Sequence, residues 1–122
     1  MSERRYTVDE ANALLPTIVP LLETLRDAQA VMAERHDEVV QSTTGNGGGA
    51  AGVQFLEASQ AAGRAAADLE KLEILVRDPA IGLIDFPAER DGDEIFLCWR
   101  FGEDVVAWWH PIDSGFAGRQ PL

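Results

Sequence analysis

Along residues 7–41 the seam positions fall at Ala11, Leu15, Ile18, Leu22, Leu25, Gln29, Met32, His36 and Val39, in alternating steps of four and three. That is coiled-coil spacing, and it predicts one long helix. Thr7 and Glu10 stand three apart at its start and form a capping box. Asp9 and Glu10 suit the positive end of the helix dipole. Pro16 and Pro20 interrupt the run; Pro16 removes a hydrogen bond and kinks the helix, or else one helix ends near Leu15 and another begins at Pro16. Residues 42–52, STTGNGGGAAG, predict a flexible connector. A second seam follows at Phe55, Ala58, Ala62, Ala65, Leu69, Leu72 and Val76, predicting a helix over 53–77 stopped by Asp78-Pro79. Large residues on one seam face small ones on the other, so the two helices form a close antiparallel hairpin.

From residue 80 the period changes. IGLIDFP, EIFLCWRF and VVAWWH read as three strands, the first ended by Pro87. Asp91-Gly92 and the stretch Gly102-Glu103-Asp104 supply the turns between them. The fold class is α+β: a single domain over 1–122, with a helical hairpin at 7–77 and a three-stranded antiparallel meander with an ordered C-terminal loop at 80–122.

A hairpin of this length outreaches a three-stranded sheet. Leu14, Leu21, Ala28 and Val31 on the first helix, with Leu56, Ala67 and Ile74 on the second, lie off the seam. A second copy of the chain would cover them in a four-helix bundle, so a homodimer is expected. Gln29 and His36, polar at seam positions, would set register.

Composition narrows the partners. The net charge is −11, with one Lys and scattered Arg, which argues against nucleic acid and anionic membranes. The N-terminus has no apolar leader and no run of residues could span a bilayer. A lone Cys makes a reducing cytoplasm the expected compartment.

Candidate chemistry gathers near the C-terminus, and strand register decides whether it forms a site. A two-residue turn pairs Cys98 with Ala107 and sends His110 to the opposite face. A three-residue turn pairs Cys98 with Trp108 and Phe96 with His110, placing Cys98, Arg100 and His110 on one surface. His110 is then a candidate metal ligand or proton carrier, with Asp113 and Asp85 as carboxylate partners and Glu103 in reach only if the turn folds back. Such a donor set suits Zn, Fe or Mn. His110 equally well ends its strand on a backbone carbonyl. Cys98 reads as a small buried hydrophobe, or as a nucleophile if a base and some exposure accompany it. Arg100 and Arg119 could grip an anionic ligand or pair with Asp85, Glu94 or Asp113. The three Trp fill the core.

The segments YTVDEANALLP, GLIDFPAERDGDEIFLCWRFGE and WWHPIDSGFAGRQPL resemble an uncharacterised bacterial family, domain-of-unknown-function family 2203. The matching steps are Asp85-Phe86-Pro87, Cys98-Trp99-Arg100, Trp109-His110 and the ending from Gly115 to Gln120. Pro111 departs from the pattern, where a glutamate often follows the histidine. The resemblance implies no activity. Two functions follow from the residues: a dimeric helical-hairpin structural or interaction module, or a small-molecule or divalent-metal binder, enzymatic or not, with its site around His110.

Overall fold

Thr7 caps the first helix as its spacing requires: its amide donates to Glu10 Oε1 at 2.9 Å, and the Glu10 amide donates to Thr7 Oγ1 at 3.1 Å. The bond from the Thr7 amide to its carboxylate is the largest cause holding Glu10 below its ordinary value. The computed structural model describes residues 4–42 and 49–122. Helix α1 spans Val8–Ser42 and runs through both prolines, so no break occurs at Pro16. Helix α2 spans Gly49–Lys71. It begins inside the stretch expected to be a flexible connector, where Ala50-Ala51 favours helix. Connector residues 43–48 and the side chain of Val39 lie outside the described residues.

Helix α2 ends six residues sooner than its seam predicted. The Ile74 amide donates to Leu69 O and the Glu73 amide to Glu70 O, with Glu73 left-handed at φ 61°. This is a Schellman stop, with buried Ile74 packed back on the helix beside Leu69. A glutamate stands where glycine is usual, so the sequence gives no warning of the stop.

Five strands follow: β1 Leu75–Asp78, β2 Leu83–Arg90, β3 Asp93–Trp99, β4 Trp108–Pro111 and β5 Gln120–Pro121. They form one antiparallel sheet in chain order, which corrects the three-stranded expectation at both edges. Pro87 does not end β2. Its carbonyl accepts the Tyr6 amide at 2.7 Å, so this residue turns its backbone away from β3 and its missing N–H costs no ladder bond. Asp91 and Gly92, at φ 53° and 83°, make the two-residue hairpin turn that their sequence signals.

The β3–β4 pairing is Cys98 with Trp108 and Phe96 with His110. It is the register expected of a three-residue turn, yet no tight hairpin makes it. Residues 100–107 form a folded loop instead. The Trp99 indole donates to Glu103 O at 3.0 Å, and the Val106 amide donates to Asn12 Oδ1 at 2.7 Å. Gly82, at φ 64°, lies under the Phe101 ring, where an added Cβ would sit 2.5 Å from ring atoms.

One face of the sheet carries Ile84, Phe86, Ala88, Ile95, Leu97 and Trp99 into a common core with Ile18, Leu22, Leu25 and Leu69. Burying these side chains supplies the main folding force, about 1.5–3 kcal/mol for each large one. Tyr6 closes the base of this core, its hydroxyl donating to Leu72 O at 2.6 Å; burial pushes its phenol up. Beyond Leu25 the buried stripe moves to Ala28, while Gln29 and His36 are exposed. A 3.6-residue helix drifts about 20° per heptad against a 3.5-residue pattern, which carries the buried stripe away from these seam positions. Of the off-seam residues, Leu14 and Leu21 pack against the core, Ala28 is buried, and Ile74 belongs to the helix stop; Leu56 is 57% exposed.

Candidate functional site

Alternation along each strand sends Asp85, Cys98 and His110 to the sheet face opposite the helices. Cross-strand pairing sets Asp85 beside Cys98, and Phe96, two residues before Cys98, beside His110. All three residues are buried, at 1–2% exposure, and their ligand atoms lie within 4.8 Å of one another. These residues therefore meet on the open side of the sheet, away from the core it shares with the helices.

His110 is held at both nitrogens. Nδ1 lies 2.7 Å from Pro111 O, and Nε2 lies 2.9 Å from Asp85 Oδ1. A carbonyl oxygen only accepts, so Nδ1 carries a proton and Nε2 turns its remaining position to a carboxylate. Two lone pairs do not face each other at that distance. A cation, either a proton or a metal ion, belongs between them. The other Asp85 oxygen accepts from Arg77 Nε at 2.9 Å. Arg77 is the extra residue of a bulge in β1, between the pairs Val76–Ile84 and Asp78–Leu83. The bulge aims it onto the face that bears Asp85.

Cys98 is a different matter. Burial, then the Asp85 charge, push its thiol up to about 12, so it is protonated at neutral pH and is no free nucleophile. A metal would displace that proton, as coordinating thiols lose theirs outright.

Above this floor lies a hollow of about 400 Å³, walled by Arg77, Leu83, Ile112 and Phe116 with Asp113 and Ser114 at its edge. A larger hollow of about 750 Å³ beside the end of α2 is lined by apolar residues such as Leu25, Leu69 and Ile74 together with Arg5, Glu70 and Glu73. Among the described residues, the metal donors converge only in the smaller one.

The remaining candidates separate. Asp113 is exposed at the hollow's edge and stands outside the donor cluster; Cys98 takes its place. Arg100 follows β3 into the loop and points its guanidinium over Phe116, 5.5 Å from the ring centre, instead of joining Cys98 and His110. Arg119 pairs with neither Asp85, Glu94 nor Asp113. Its Nη2 donates to both Glu103 carboxylate oxygens at 2.8 Å, while the guanidinium stacks 4.9 Å from the Trp108 and Phe116 ring centres. Glu103 has folded back, as its turn allows, but onto Arg119. It also accepts the Arg100 amide at 2.8 Å. This clamp ties the C-terminal loop over the site's outer wall. The sequence carries no signal for Arg77, because residues 75–78 are too few to show a period and the helical seam runs on through Val76.

A family model described as "Uncharacterized conserved protein (DUF2203)" matches residues 4–122. The chain belongs to this family. Comparison with curated proteins and with solved structures returned no match. Among the described residues, no helix is long and apolar enough to cross a membrane.

Proposed function

We propose that this family member is a divalent-metal-binding protein whose centre is Asp85, Cys98 and His110. The observation that carries the reading is the position of His110 Nε2, which faces a buried carboxylate beside a buried thiol at the floor of an open hollow. Nitrogen, sulfur and oxygen donors together favour zinc over magnesium or calcium, with iron or manganese as weaker fits. Pro111 O, bonded to Nδ1, orients the ring in the way that outer partners of metal-bound histidines do. Three protein donors leave a fourth position, and here it would open to the hollow.

Zinc content and zinc affinity of protein purified without a His tag test this reading. One equivalent is expected in the wild type, with affinity lowered at least tenfold in Asp85→Asn and Cys98→Ala. Asparagine can still accept from Arg77 and donate to Nε2, so the fold should persist in that variant. A folded wild type without measurable zinc affinity overturns the proposal.

A second reading concerns the hairpin. Val53 and Leu56, 56% and 57% exposed on α2, favour a second copy of the chain laid against this part of the hairpin. The protein would then be a helical dimer carrying one centre per chain.

A further inference from the structure

Arg77 has work left undone. Its Nε is committed to Asp85, and its guanidinium carbon lies 5.2 Å from the centre of the Phe96 ring. Among the described residues its two Nη groups have no hydrogen-bond partner, and the side chain is 46% exposed at the wall of the hollow. A divalent ion held by one thiolate and one carboxylate is left neutral overall. Arg77 beside it then makes the floor cationic, inside a chain whose net charge is −11.

We propose that the hollow binds a small carboxylate with an apolar body, its oxygens shared between the metal's fourth position and the Nη groups of Arg77. The inference rests on the metal reading above. A guanidinium fork matches a carboxylate in shape and charge. Leu83, Ile112 and Phe116 supply apolar walls for the rest of the ligand, and about 400 Å³ is near the lower end for small-molecule sites. Asp113, exposed at the mouth, opposes doubly charged anions more than singly charged ones. A carboxylate is thereby favoured over a phosphate.

Cobalt-loaded full-length protein gives the test, because thiolate-to-cobalt absorption reports the metal and the d–d bands report its fourth ligand. Butyrate should shift the d–d bands and bind about tenfold tighter than acetate, from its two further buried methylenes. Inorganic phosphate should bind more weakly than butyrate. Arg77→Met should keep the thiolate-to-cobalt band and lose at least tenfold in butyrate affinity. Phe116→Ala, which removes no donor, should keep the band and narrow the butyrate–acetate gap. A d–d spectrum indifferent to butyrate, tighter binding of phosphate than butyrate, or equal butyrate affinity in wild type and Arg77→Met overturns the carboxylate assignment while leaving the metal in place. Absence of the thiolate-to-cobalt band instead overturns the metal reading and the carboxylate site with it.

Discussion

Cys98 and His110 are among the most completely buried side chains of the described residues, and Asp85 lies between them and Arg77. Such a cluster imposes a pH dependence. The native thiol holds its proton to about pH 12, whereas in the unfolded chain it gives it up near its ordinary value of about 8.5. Between those values the unfolded state binds fewer protons than the native one, so stability falls as pH rises. In metal-free protein the loss should approach, but not exceed, about 1.4 kcal/mol per pH unit from this group. Urea melts of wild type and Cys98→Ala at pH 8 and 10.5 should show the wild type losing more; identical losses refute the assignment. Native Cys98 should also resist iodoacetamide at pH 8 and react once unfolded.

Elements of this chain begin and stop where local chemistry can be satisfied, and the sequence discloses that chemistry unevenly. Thr7 with Glu10, and Asp91 with Gly92, use the residue types that their geometry prefers; both were legible. The stop at Glu73 uses a residue the geometry disfavours, and so the seam in the sequence runs on to Val76 past the helix's end at Lys71. Replacing Glu73 by glycine removes the left-handed penalty, and Glu73→Gly should raise stability by about 1 kcal/mol in denaturant melts. A loss of stability would mean that the glutamate makes compensating contacts. The short strands were hidden for another reason. β1 and β5, of 4 and 2 residues, carry too few positions for alternation to register, and neighbouring strands alone define them.

For the whole molecule, the helical hairpin covers one face of the sheet and leaves the other to the site. At 1.5 Å per residue α1 is roughly 50 Å long, and Ala28, Val31 and Arg35 share a hollow with Gln54, Ala58 and Ala61 of α2 that no strand lines. Light scattering should give the mass of two chains, and Leu56→Asp should return it to one. A wild-type mass of one chain at micromolar concentration removes the dimer. By itself the sequence determined the α+β class, the long capped first helix, the Asp-Gly hairpin and the neighbourhood of the candidate chemistry. Each of these depends on contacts between residues close in the chain, or on a period repeated often enough to be read. Tertiary structure decided the register that joins Cys98 to His110, the arrival of Arg77 on Asp85, and the capture of Arg119 by Glu103. Those pairings lie 12, 8 and 16 positions apart, and only the packed sheet, with one face filled by the helices, selects them from the alternatives that the same residues allow.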